Sequence, residues 1–283
     1  MYLDSDITIV VPTCERPEML KQCLTSIKCQ TLKPTVVLVM DQSSDDRSEL
    51  ISKDFNVLYH RCRYKNKSKA MNEAIKRSET SWVAIIDDDT ILEHNWVEVV
   101  DQRRKKFPCI EIIQGNIYAS TGYDTTNEDI HDKEEIVSKS IITPLFLIGC
   151  NFAFSKKLYN RVGVFNEKLG PGTKNKGGED IEWGYRVFYK KKSLLICPDL
   201  RLIHYSWRTQ DDVVKQMHNY GIAMSAVLKI IQQRSFLDFV YYYFKILSWL
   251  NYNIFMAFFD KKININTHKA YKNSFKKSYR QNE

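Results

Sequence analysis

Apolar residues follow two rhythms along this chain. Short β-branched or apolar runs cover 7–11, 35–40, 56–59 and 82–86, and each ends in polar residues. The first closes at Pro12, the second at Asp41, the third before a basic loop, and the fourth at Asp87, Asp88 and Asp89. Between these runs apolar residues recur at helical spacing, as in Leu20, Leu24 and Ile27 behind Pro17, and Ala70, Ala74 and Ile75. Uninterrupted apolar runs read as strands buried on both faces. Their alternation with helices predicts an α/β chain with a mainly parallel sheet flanked by helices.

Further on, the pattern predicts a helix over 92–107, ending in Arg103, Arg104, Lys105 and Lys106, which suit the negative end of its dipole. Strands are expected at 110–118 and 144–154, with a short helix capped by Gly163. The acidic stretch 124–135 reads as a mobile surface loop. Residues 170–178 carry too much glycine and lysine to be packed, so a flexible loop is expected there. After it, Ile181, Tyr185 and Phe188 share a helical face. Two short strands follow at 194–196 and 200–203, the second ending at His204, and then a long amphipathic helix at 210–233.

The segment 236–259 is dense in Tyr, Phe and Trp, but Asp238, Lys245, Asn251 and Asn253 interrupt it. A central charge costs about 2.5–3.5 kcal/mol in a spanning helix, so a helix in the membrane plane fits better than a span. Packing on the chain's own core, or on a second copy, is the alternative. The net charge of +8 is uneven, with seven Lys/Arg against two acidic residues in 260–283. Basic charge beside an aromatic segment points to an anionic membrane surface. No nucleic-acid partner is expected, because that would place an aromatic and basic stripe within the fold. The seven cysteines are scattered and form no CxxC pair. No zinc site is therefore expected, and buried free thiols in a reducing cytosol are. The N-terminus shows no basic region or cleavage pattern of a signal peptide.

The chemistry centres on the three aspartates. Two carboxylates about 4 Å apart repel by roughly 4 kcal/mol at an effective dielectric of about 20, and a divalent cation would remove that cost. Continued strand geometry would point Asp87 and Asp89 one way and Asp88 the other. A solvated acidic turn or a helix cap is the plainer reading of an isolated triplet.

The surrounding motifs decide between them. Val10-Val-Pro-Thr-Cys-Glu-Arg-Pro17, Asp41, the stretch 66–72, the triplet, and Glu179-Asp180 before Glu182-Trp183 stand in the order seen in family 2 glycosyltransferases, which this chain resembles over 5–206. The resemblance implies a GT-A fold, with a Rossmann-like nucleotide-sugar half (1–110) and an acceptor half (111–206), while the aromatic and basic residues beyond it read as a C-terminal helical, membrane-associating extension (207–283). It implies Mn²⁺ or Mg²⁺ held by Asp89, Asp87 and His204, and a nucleotide sugar held by Thr13, Glu15, Asp41, Lys69, Asp87 and Asp88. UDP is the family-level expectation, with dTDP and GDP open. Asp180 is implied as the base of an inverting transfer, and Glu179 and Trp183 as acceptor-side residues, although Trp183 fits helix packing equally. The stretch 66–72 lacks the glycine and arginine common in the family, and the Gln-x-x-Arg-Trp motif of processive synthases is absent, so one sugar per encounter is expected. The expected acceptor is a glycan or lipid-linked glycan of the cell envelope, met at the cytosolic membrane face, with a homo-oligomer through the C-terminal helices also open. A metal-dependent phosphohydrolase or a non-catalytic glycan- or membrane-binding protein are the alternatives. The phosphohydrolase pattern wants Asp-x-Asp-x-Thr, whereas Thr90 directly follows Asp89.

Overall fold

The computed structural model describes residues 5–120, 129–145, 147, 149–205, 207–257 and 264–281. Its centre is β1 (Ile7–Thr13), buried along its whole length. β2 (Val36–Asp41) and β4 (Trp82–Ile85) flank it in parallel, and β3 (Leu58–Arg61) pairs in parallel with β2. The two faces of this half-sheet are covered by different helices, which is why its strands are apolar on consecutive positions. Ile7, Ile9 and Val11 pack with α1 (Pro17–Lys28) and α4 (Trp96–Lys106). Val10, Val83 and Ile85 pack with α3 (Lys67–Arg77), α5 (Lys156–Val162) and α6 (Glu179–Tyr189).

Beyond β4 the sheet becomes mixed. β8 (Phe152–Ser155) runs antiparallel to β4 and to β6 (Ile112–Ala119), and β6 lies parallel to β9 (Leu194–His204). β5 (Thr90–Leu92) and β7 (Glu135–Val137) are antiparallel to β9. The strand order is β3-β2-β1-β4-β8-β6-β9-β5, with β7 also on β9. Thr90 stands opposite His204 in the β5–β9 register, so this pairing carries His204 to the end of the aspartate triplet.

Several expectations change. The expected strand at 144–154 shortens to β8, and Leu147, Gly149 and Cys150 before it line the site described below. The two strands at 194–196 and 200–203 are one, β9, whose register on β6 shifts between Gly115 and Asn116. A Cβ at Gly115 would lie 1.9 Å from the Leu200 carbonyl, so only glycine admits that crossing. The helix expected from 92 begins at Trp96, because 90–92 is drawn into β5. Residues 170–178 form a largely exposed loop that backbone hydrogen bonds tie to its surroundings. The Lys67 N–H donates to the Pro171 carbonyl at 3.1 Å, and Gly170 N–H to Gly177 at 3.2 Å. Gly172, at φ +84°, would place a Cβ 2.4 Å from the Lys65 carbonyl, so its missing side chain is what permits the contact. Of the acidic stretch, 121–128 lies outside the described residues, while Asp129 bridges Ile117 and Glu135 opens β7.

A third apolar cluster joins α6 to α7 (Gln210–Arg234), α8 (Phe236–Met256) and α9 (Ile265–Gln281). Asp238, which interrupts the aromatic segment, is an anchor: its carboxylate accepts from Tyr185 Oη at 2.9 Å and from the Thr143 N–H at 3.0 Å. The Tyr242 hydroxyl donates to the Thr143 carbonyl at 2.8 Å. The opposite side of α8 is open, with Leu237, Tyr241, Phe244, Tyr252 and Phe255 exposed. No described helix is long and apolar enough to cross a membrane.

Candidate active site

Strand ends, loops and the C-terminal helices enclose a cavity of about 790 Å³, a size that suits a small-molecule ligand. It lies beyond the carboxyl ends of β1 and β4, where ligands of open α/β sheets bind. Pro12, Thr13, Cys14 and Arg16 follow β1, Gln42 follows β2, and Asp87 and Asp89 follow β4. Gly149, Glu179 and Asp180 line it from the second half of the sheet, His204 from the end of β9, and Gln216, Asn219 and Tyr220 from α7.

The three aspartates have separate surroundings. Asp87 and Asp89 line the cavity, whereas Asp88 is fully buried and accepts a 2.6 Å hydrogen bond from Thr13 Oγ1. Arg16 bridges the pair: its guanidinium contacts Asp88 and lies 2.7 Å from Asp89 Oδ2. Burial, which Arg16 only partly offsets, pushes Asp88 up to about 7. Asp89 falls to about 2, because Arg16, His204 and the Trp207 indole N–H outweigh its burial. That N–H donates to Asp89 Oδ2 at 3.1 Å, and Arg16 lies over the Trp207 ring at 5.6 Å. His204 Nε2 is 3.5 Å from Asp89 Oδ1.

Across the cavity, α6 starts at Gly178, whose φ of +84° ends the 170–178 loop. Glu179 and Asp180 occupy the first turn, where the helix dipole favours negative charge. Asp180 Oδ1 accepts the Ile181 N–H at 2.8 Å. A Cβ at Gly149 would lie 2.6 Å from Asp180 Oδ2, so the backbone at 149 seats this carboxylate closely. Burial raises both acids, Glu179 to about 7 and Asp180 above its usual value, with Lys67 opposing. The Lys67 ammonium sits 2.6 Å from Asp87 and 3.8 Å from Glu179, and these carboxylates hold it charged despite its burial.

Other expected site residues stand differently. Asp41 is fully buried and accepts from the Ser43 N–H and Tyr59 Oη, both at 2.8 Å. It therefore shapes the loop that presents Gln42 to the cavity. Glu15, at φ +58°, accepts the Ser44 N–H at 2.9 Å and pairs with Lys65 at 3.5 Å. Lys69 lies over the Tyr64 ring at 4.2 Å and does not line the cavity. Lys67 is the lysine on the aspartates, because two residues turn a helix by about 200°. Trp183 is not an acceptor-pocket wall. It is fully buried among Phe152, Phe154 and Phe165, and its indole N–H donates to the Gly163 carbonyl at 2.9 Å. Arg16, Lys67 and Trp207 were missed in the sequence, although Arg16 and Lys67 stood inside recognised motifs.

The profile described as Glycosyl transferase family 2 matches residues 8–163, more than half of the chain. The chain belongs to that family. Glycosyltransferase GlyA of Streptococcus pneumoniae serotype 4 is 30% identical over 124 residues, 42% of this chain and 18% of that protein. Hyaluronan synthase of Pasteurella multocida is 27% identical over 223 residues, 64% of this chain and 22% of that protein. The transferase thus spans about a fifth of the length of these two relatives. Among solved structures, residues 1–349 of S. aureus TarS in complex with UDP match with a TM-score of 0.59 at 15% identity, covering 98% of this chain and 92% of that one. The fold is GT-A, and membership of this family sets the phosphohydrolase alternative aside.

Proposed function

We propose that this transferase moves one sugar from a UDP-sugar to a hydroxyl of a glycan or lipid-linked glycan, with inversion and with the help of a divalent cation. The observation that carries the reading is the single cavity bounded by Asp87, Asp89 and His204 on one side and by Glu179 and Asp180 on the other. UDP is favoured because a fold neighbour, TarS, was solved with it.

In this reading Asp180 accepts the acceptor hydroxyl proton while that oxygen attacks the anomeric carbon, and the diphosphate departs from the opposite face. Glu179 holds the acceptor beside it. Lys67 and Arg16 supply positive charge near the departing diphosphate. A metal ion fits the donor set. Asp87 Oδ1, Asp88 Oδ1 and Asp89 Oδ1 are buried and face Lys67, Arg16 and His204 without a well-aligned hydrogen bond, and carboxylate oxygens with an imidazole suit Mn²⁺ or Mg²⁺. Asp89 and His204 would hold it, with Asp87 alongside. Bound there, the cation neutralises charge developing on the diphosphate.

The reading extends to an anionic membrane at the cytosolic face. The exposed residues of α8 form a straight stripe, Leu237-Tyr241-Phe244-Tyr252-Phe255 at helical spacing. Lysines rim it: Lys245 lies 5.6 Å from the Tyr241 ring, and Lys272 Nζ bonds Asn251 at 2.6 Å. An apolar stripe edged by basic side chains matches an interfacial helix on acidic lipid. A thermal-shift screen of UDP-, dTDP- and GDP-sugars with and without Mn²⁺ tests the donor side. The largest shift is expected for UDP-sugars with Mn²⁺, and no nucleotide-dependent shift would overturn the reading.

A further inference from the structure

Away from the cavity, the end of β3 and the middle of α3 gather a second set of chemically active side chains. Tyr59 and Arg61 turn to one side of β3, where Tyr59 Oη bonds Asp41 and Arg61 Nε lies 3.6 Å from it. Strand alternation sends His60 to the other side, and Cys62 follows in the same sense, buried at 4% exposure. Glu73 meets them from α3. One ligand atom from each of His60, Cys62 and Glu73 lies within 4.8 Å of the other two, and none of the three lines the cavity. The His60 Nε2 to Glu73 Oε2 distance is 3.6 Å. Ligands of a tetrahedral zinc ion stand about 3.3–3.8 Å apart, given bonds of about 2.0–2.3 Å.

A second observation points to the same place. The Tyr64 hydroxyl stands against the Cys62 thiol and the Glu73 carboxylate, which places a fourth polar atom beside the three ligand atoms. Arg77 Nη2 lies 3.3 Å from His60 Nε2 and is the present neighbour of that ring nitrogen. It sits one turn beyond Glu73 on an exposed stretch of α3 and can swing aside.

We infer that His60, Cys62 and Glu73 form a structural site for a borderline-soft divalent cation, Zn²⁺ above all, with Tyr64 or water in the fourth position. One thiolate, one imidazole and one carboxylate make a zinc-type set rather than the oxygen-rich set of Mg²⁺. On binding, Cys62 gives its thiol proton to solvent and the thiolate becomes the ligand. The ion would clamp β3 to α3 across residues 62–66, the connection that ends at the Asn66 cap and Lys67. Asn66 Oδ1 accepts the Lys69 N–H there at 3.0 Å. Spacing rules built on CxxC pairs overlook this site, because its third ligand comes from a helix eleven residues further on.

Cobalt(II) alone, added to the full-length chain, is the direct probe. A sulfur-to-cobalt charge-transfer band is expected at one equivalent, displaced by Zn²⁺, kept in Cys14→Ser and in His204→Ala, and lost in Cys62→Ser. If Cys62→Ser fails to fold, His60→Ala and Glu73→Gln, which alter partly exposed side chains, serve instead. Each should weaken cobalt binding at least about tenfold. Absence of the band in the unmodified protein, its persistence in folded Cys62→Ser, or unchanged affinity in both other variants would each overturn the inference.

Discussion

Lys67 joins Asp87 to Glu179 through one ammonium group, with Nζ at 2.6 Å from the first carboxylate and 3.8 Å from the second. It ties the strand end that carries the aspartates to the helix that carries Asp180. Its charge holds down the proton affinity of Glu179 and Asp180. Replacing it with methionine should let Glu179 and Asp180 bind protons more tightly. The acidic limb of the kcat–pH profile should then move to higher pH, measured as initial rates at saturating donor and acceptor. An unmoved limb would remove Lys67 from the electrostatics of the base.

Asp180→Asn removes a proton acceptor while keeping the shape of the side chain. Transfer should fall by about 10²–10⁴-fold, with nucleotide affinity by calorimetry within a few-fold of the original. Retained turnover would eliminate Asp180 as the base.

Glu179 gives a stability prediction with a defined sign. Its folded pKa, about 7, lies above its ordinary value of 4.5. Between those values the folded state binds more protons than the unfolded one, so stability falls as pH rises through that window. Above about 7 the full penalty is present. Glu179→Gln should therefore melt higher than the unmodified enzyme at pH 8, and the gap should close towards pH 4.5. A gap that widens on acidification would contradict the assigned burial cost.

Arg16→Ala leaves the buried Asp88 and Asp89 carboxylates without their shared cation. Loss of one partner from a buried pair costs on the order of 3 kcal/mol, which urea unfolding would show. Mn²⁺ should recover more of that loss in the variant than it adds to the parent. Equal gains in both proteins would argue against a metal beside these aspartates.

The two sides of α8 can be tested apart. Phe244→Glu with Tyr252→Ser alters only exposed positions, so the melting temperature should hold while sedimentation with anionic vesicles drops sharply. Undiminished binding would redirect the stripe to another role, and a change of oligomeric state in the same variant would identify a second copy as its occupant.

Much of the catalytic half was legible in the sequence because its signals are local. Apolar runs that stop at polar residues located β1, β2 and β4, and the strand-end aspartates came with them. What stayed hidden depends on contacts made across long stretches of chain. Lys67 and Lys69 look equivalent along the sequence, and only the helix phase separates them. Trp183 sits within a catalytic motif, but three phenylalanines from elsewhere fix it in the core. The glycines at 170, 172 and 178 read as looseness, whereas each gives up a side chain so that a neighbour can approach. Asp238 counted against a membrane span for its charge, and its actual partners, Tyr185 and Thr143, stand about a hundred or fewer residues upstream.

The seat of α9 bears on when the cavity is complete. Tyr271 reaches the cavity lining, and α9 lies so close to α7 that a Cβ at Gly221 would come within 2.1 Å of Ser274 Oγ. The family-matched region ends at residue 163, more than a hundred residues before that wall is laid down. The aspartates, Glu179, Asp180 and the described strands of the sheet all precede α9 along the chain, so the cavity lacks this wall until α9 docks. One wall of the cavity is therefore supplied by a lysine-rich helix that lies outside the stretch that defines the family.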